Sequence, residues 1–173
     1  MIVTDTNIIS YLLLPTPYTE SVDTLFQLDS NWVAPVLWKS EFRNVLALYL
    51  RKEIITLEKA LQLQEQAESI MSNSEFDVSS SQVLVLINKC NCSSYDCEFI
   101  ALAHHLNTKL VTQDKKLLKE FPTTAISVSD YLSIHAAKLS NAAFSGLSAV
   151  MTGYVMFWHC VDRANPVNYS LFA

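Results

Sequence analysis

The opening run Ile2-Val3-Thr4-Asp5-Thr6-Asn7 constrains this chain more than any other stretch. Branched apolar side chains pack well on a pleated surface, so Ile2 and Val3 favour a buried strand. A short apolar run of this kind suits a central strand of a parallel sheet. The series Ile8, Ile9, Tyr11, Leu12 and Leu13 follows at once and reads as a helix, with Thr6 or Asn7 placed to cap it. Asp5 then stands at the carboxyl end of a strand, where open α/β sheets form their ligand crevice. The plainer reading of a lone aspartate there is a helix cap. Other acids downstream shift the balance.

The alternation continues along the chain. Thr19–Leu28 reads as a helix, and Trp32-Val33-Ala34 as a strand closed by Pro35. Trp38–Lys52 carries Phe42, Val45, Leu46, Tyr49 and Leu50 at helical spacing. Leu57–Met71 reads as a helix that buries Ala60, Leu61 and Ile70, and Phe76-Asp77-Val78 as a short strand. Ser79 to Ser81 offer caps for a helix through Ile87. Ser93–Asp96 opens another helix, with Tyr95, Phe99, Leu102 and Leu106 as its buried stripe. Lys109–Thr112 is a strand running into Gln113-Asp114. A short helix, Lys115–Glu120, is stopped by Pro122. Ala125–Val128 is the last strand. Strands that alternate with helices imply a parallel sheet covered on both faces, an α/β fold.

With 173 residues, half of them apolar, the chain suits one domain with an appendage. We place the domain at residues 1–132. The character changes after Leu132: both glycines, Gly146 and Gly153, lie beyond it, and no charge occurs between Lys138 and Asp162. Ser, Thr, Asn, His and Gly dilute this stretch, which argues against a transmembrane helix. Residues 133–173 read as a C-terminal extension, helical or disordered. Phe144, Leu147, Met151, Tyr154 and Trp158 would form one face of such a helix.

Four acids share one context. Asp5 and Asp114 each follow a strand, and Glu41 and Asp96 each open a helix. In a parallel sheet these positions gather at the carboxyl edge of the strands. Crowded carboxylates are unfavourable unless cations lie between them. Oxygen-only ligands suit Mg2+ or Mn2+ rather than zinc. Such ions acidify water and steady the leaving oxygen of a phosphodiester. The plainer alternative is four unrelated helix caps.

Asp5-Thr6-Asn7, Ser40-Glu41 within a helix, Tyr95-Asp96 followed by Phe99-Ile100-Ala101-Leu102-Ala103, and Val111-Thr112-Gln113-Asp114 together resemble the PIN domain. Their order and spacing are similar to those of the VapC-type toxins of bacterial toxin–antitoxin modules. The likeness covers about residues 1–132. It implies a three-layer α/β/α sandwich with a central, mainly parallel sheet. It also implies a Mg2+- or Mn2+-dependent endoribonuclease that hydrolyses RNA with a metal-activated water, and inhibition by a cognate antitoxin protein. The residues that match the metal-site and catalytic acids are Asp5, Glu41, Asp96 and Asp114. Thr112 matches a small hydroxyl residue beside the last acid, and Asn7 a polar residue near the site. The chain departs from the pattern at Asn107, where a glycine often precedes the last core strand.

Lys39, Arg43 and Lys115 flank the acids and are candidates to meet RNA phosphates. His104 and His105 read as helix C-terminal residues. Cys90-Asn91-Cys92 lacks the two-residue spacer of a zinc knuckle and reads as structural. The net charge of −5 argues against broad adhesion to nucleic acid or an anionic membrane, but not against a metal-assisted nuclease. Residues 1–145 contain no glycine, which argues against a P-loop or dinucleotide-binding fold. There is no G-x-S-x-G elbow. The uncharged start suggests no secretory signal, hence a cytoplasmic protein with reduced thiols. The partners to expect are RNA, an antitoxin and a second copy of the chain, with no membrane. The competing class is a catalytically silent PIN-like binding or scaffold protein.

Overall fold

The structure, a computed structural model, describes residues 1–144. Strand β1 (Ile2–Thr4) leads into helix α1 (Thr6–Leu13), then α2 (Thr19–Leu28), β2 (Trp32–Pro35), α3 (Trp38–Arg51) and α4 (Leu57–Ile70). There follow β3 (Glu75–Phe76), α5 (Ser80–Ile87), α6 (Ser94–His105), β4 (Leu110–Val111), α7 (Lys115–Glu120), β5 (Ala125–Ile126) and α8 (Val128–Phe144).

The strands form one sheet in the order β3-β2-β1-β4-β5, and every pairing is parallel. Val3 is in register with Val33 on one side and Leu110 on the other. β1 is therefore central and fully buried, as its branched residues favour. Helix α1 packs with α2, α3 and α4, and α2 with α8; α6 lies over β1, β2 and β4 and carries α5. This is the expected α/β/α sandwich with a parallel centre.

The core follows from these faces. Ile2, Ile8, Ile9, Trp32, Trp38, Phe42 and Tyr49 are all buried. Helix α6 is buried along Phe99-Ile100-Ala101-Leu102-Ala103, where the two alanines let it approach the sheet closely. Two residues expected in the core are outside it. Leu61 is 62% exposed, because the buried face of α4 runs through Ala60, Leu63 and Ala67 and turns Leu61 toward solvent. Tyr95 is 61% exposed, in the first turn of α6, ahead of the stretch that covers the sheet. Ile70 is half-buried.

Strand ends also differ from expectation. The third strand is Glu75–Phe76, not Phe76–Val78. Val128 opens α8 instead of closing β5, because Ser127 accepts from the Asp130 N–H at 3.1 Å and so starts the helix there. Asn107 has φ 49°, the left-handed region in which glycine or asparagine ends a helix. Its N–H donates to the His104 carbonyl and that of Thr108 to the Ala103 carbonyl, a Schellman motif, so asparagine serves where glycine is usual.

Helix α8 continues through Leu132 without a break. It is tied to α2 by Tyr131, whose hydroxyl donates to Asp29 at 3.1 Å; the Met1 amine meets the same carboxylate. The expected apolar face from Leu147 to Trp158 lies outside the described residues, as does Cys160. Among the described residues no helix is long and apolar enough to cross a membrane.

Candidate active site

Asp5 stands between the end of β1 and the start of α1. Its backbone is extended and it is the N-cap of α1, so neither Thr6 nor Asn7 takes that role. A carboxylate suits the position because the first N–H groups of a helix lack partners within it. The Asp5 N–H donates to the Val111 carbonyl in β4 at 3.1 Å, which pins the residue to the neighbouring strand. The Asn7 N–H donates to Asp5 Oδ1 at 3.3 Å, and the Thr112 hydroxyl to Oδ2 at 2.6 Å. Only 8% of Asp5 is exposed.

Thr112 is fully buried and continues from β4. Its oxygen also accepts from the Asp114 N–H at 3.0 Å. Asp114 then caps α7, accepting from the Lys116 and Leu117 N–H groups through Oδ1. The carboxyl ends of β1 and β4 are thus joined through one hydroxyl.

Glu41 lies in the first turn of α3 and faces α1. The Thr6 hydroxyl donates to its Oε2 at 2.5 Å. Asp96 sits in the first turn of α6 in a capping box: it accepts from the Ser93 N–H at 3.0 Å, and its own N–H donates to Ser93 Oγ. Three of the four acids, Asp5, Asp96 and Asp114, therefore do serve as caps.

They are nonetheless not unrelated. Burial raises the pKa of Asp5, the bonds from Thr112 and Asn7 pull it back, and the charges of Asp114 and Asp96 push it up again. Burial likewise lifts Glu41 to about 7, opposed by Thr6 and reinforced by Asp5, Asp96 and Glu98. Asp5 is the hub: it lies within electrostatic range of each of the other three acids. Glu98 is a half-buried fifth carboxylate, raised by burial, that sequence patterning does not single out. Thr6 is a further site residue seen in sequence only as a cap. Its bond to Glu41 spans 35 positions and leaves no local signal.

The donors are all carboxylate oxygens, which suits a hard divalent cation. The like charges that push Asp5 and Glu41 up would be offset by such an ion. Among the described residues, however, no three His, Cys, Asp or Glu side chains are grouped closely enough to hold a metal ion as they stand. Asp96 and Asp114 each commit one oxygen to a backbone N–H at the start of a helix, and Glu41 commits one to the Thr6 hydroxyl of α1.

The basic candidates separate. Lys39 is ion-paired with Glu75 at 2.8 Å, and Glu75 also accepts from Trp38 Nε1. Arg43 is exposed and donates to Ser40 at 2.9 Å. Lys115 is exposed beside Asp114. His104 and His105 are exposed at the far end of α6. His104 bonds with Thr124 and lines a cleft of about 490 Å³ at the amino edge of β4 and β5, which contains none of the four acids.

A PIN domain family model matches residues 2–123. No curated protein matches the sequence. Among solved structures, PAE2754 of Pyrobaculum aerophilum is similar with a TM-score of 0.59 and 19% identity, over 79% of this chain and 96% of that one. FitAcB from Neisseria gonorrhoeae is similar with a TM-score of 0.57 and 18% identity, over 74% and 98%. A chain of a toxin–antitoxin complex from Klebsiella pneumoniae has a TM-score of 0.55 and 11% identity, over 74% and 98%. At these identities the likeness is one of fold.

Proposed function

Because this chain belongs to the PIN domain family, whose members are generally nucleases, we propose that it is the endoribonuclease toxin of a type II toxin–antitoxin module. The observation that carries the reading is Asp5. Asp5 is buried at the carboxyl ends of β1 and β4, held by Thr112, and set beside three more acids that raise its pKa or have theirs raised by it. A buried carboxylate with like charges beside it is costly to a fold, and such a group marks a ligand site.

Asp5, Glu41, Asp96 and Asp114 would hold Mg2+ or Mn2+. When bound, such an ion acidifies water and offsets the charge of a phosphodiester. The chain's own residues do the positioning. Thr112 fixes Asp5 and Thr6 fixes Glu41. Asn7 steadies Asp5 from the first turn of α1. Arg43 and Lys115, both exposed, are suited to meet RNA phosphates.

The partner implied is a small antitoxin that places a basic side chain among the acids. An arginine fork pairs with two carboxylates at once and would exclude metal and substrate. That a similar fold occurs in a toxin–antitoxin complex supports this reading. A cytoplasmic setting follows from the RNA substrate, and a homodimer is compatible with it.

One observation favours the second class, a silent binding or scaffold protein: Asp5, Asp96 and Asp114 each have a capping role that needs no catalysis. A panel of structured RNAs with Mg2+, Mn2+ or EDTA separates the two. Cleavage that needs metal and disappears in Asp5→Asn supports the nuclease. Metal-independent binding without cleavage supports the scaffold.

A further inference from the structure

Three thiols meet where α5 hands over to α6. Cys90 and Cys92 lie in the connection, and Cys97 follows Asp96 in α6. Cys90 Sγ is 3.6 Å from Cys97 Sγ. Cys90 is half-buried, whereas Cys92 and Cys97 are buried. The backbone between them is held: Ser93 and Asp96 close a capping box, and the Cys97 N–H donates to the Ser93 carbonyl at 3.1 Å.

Small thiols pack well in a core, and that alone accounts for Cys92. The Cys90–Cys97 pair has more to it. A disulfide requires about 2.05 Å between sulfurs, and closure starts here from 3.6 Å. Cys90 is half-buried and within reach of a small reagent, and the buried Cys97 sulfur lies 3.6 Å from it. That is the arrangement of an attacked and a resolving cysteine.

We propose that Cys90 and Cys97 form a redox-sensitive dithiol that closes to an intrachain disulfide on reaction with a small oxidised disulfide. The Cys90 sulfur attacks one sulfur of the reagent, forming a mixed disulfide and releasing one reagent thiol. The Cys97 sulfur then attacks Cys90 Sγ, forming the internal bond and releasing the second reagent thiol. Two cysteines lose two hydrogens, and one reagent disulfide becomes two thiols. In a reducing compartment the pair rests as thiols and closes only when the thiol pool is oxidised. The ring so formed, residues 90–97, contains Ser93 and Asp96. It staples the turn that presents Asp96, and its functional consequence rests on the reading of Asp96 given above. The chemistry of the pair does not.

The test uses the full chain. Native protein is incubated with oxidised glutathione, free thiols are alkylated, and linkages are mapped by peptide mass spectrometry. The expected product is a Cys90–Cys97 link, two hydrogens lighter and reversed by reductant, with Cys160 still alkylated. Cys97→Ser should stop at a glutathione adduct on Cys90, Cys90→Ser should give no adduct at this site, and Cys92→Ser should still close. Amide exchange over residues 93–97 should slow on oxidation. A link that forms only in urea, or that joins Cys92 or Cys160 instead, overturns the dithiol. A native Cys90–Cys97 link with unchanged exchange overturns the staple. Both outcomes are independent of whether the protein cleaves RNA.

Discussion

The Thr112 hydroxyl donates to Asp5 Oδ2 at 2.6 Å, across 107 positions of sequence. Among the groups acting on Asp5, this bond opposes the effect of burial most strongly. Thr112→Val keeps the volume and removes the donor. Asp5 should then hold a proton to higher pH, and the acid limb of the cleavage profile should move up. Stability should fall by about 1–3 kcal/mol, since a buried acceptor loses its partner. A pH–rate profile that stays in place would show that the bond does not control Asp5.

Asp5→Asn should keep the fold and remove metal-dependent cleavage, because an amide is a weak ligand for a hard cation. Without metal the wild-type carboxylate is disfavoured by burial and by its neighbours. The amide escapes that penalty. In EDTA the thermal midpoint of the variant should equal or exceed that of wild type, read by calorimetry.

Glu41 gives a pH dependence with a definite sign. Its pKa rises from 4.5 to about 7 on folding. Between those values the folded protein keeps a proton that the unfolded chain has released, so stability falls as pH rises through this window. Denaturant midpoints in EDTA should therefore drop from about pH 5 to about pH 7.5. Glu41→Gln should flatten the slope, and saturating Mg2+ should reverse it.

The basic residues should differ in salt dependence. Lys115 and Arg43 are exposed, whereas Lys39 is paired with Glu75. Lys115→Ala and Arg43→Ala should each weaken RNA binding and reduce the salt slope by about one. Lys39→Ala should change RNA affinity less than either. Filter binding across a salt series distinguishes them.

We expect a chain ended after Phe144 to retain a cooperative thermal transition and the acid group. The loss of residues 145–173 should change solubility or oligomeric state instead. A chain ended before Tyr131 should be less stable, since it lacks the Tyr131–Asp29 bond and the packing of α8 on α2. A missing transition in the chain ended after Phe144 would place the tail inside the core.

Much of this was legible in the chain, and the failures have physical causes. Strand and helix order followed from where apolar runs gave way to polar residues and prolines. The position of Asp5 after β1, and of Asp114 after β4, followed with it. Tyr95 and Leu61 did not, because periodicity gives a helical stripe but not where along it the partner surface ends. Strand order did not, because short buried strands look alike. The Thr6–Glu41 bond and the pairing of Lys39 with Glu75 join residues 35 and 36 apart, and only the assembled layers bring them together. The caps on Asp96 and Asp114 were readable as caps. Their electrostatic link to Asp5 was not.

The central place of β1 governs when this protein becomes complete. β1 needs β2 on one side and β4 on the other, and β4 begins at Leu110. A chain emerging from the ribosome presents Asp5 at once, yet Thr112 and Asp114 arrive more than a hundred residues later. Such distant pairings form late in folding. The acid group thus cannot assemble on a chain still short of residue 114, and a fragment released by a stalled ribosome carries its first carboxylate with no fourth to meet it.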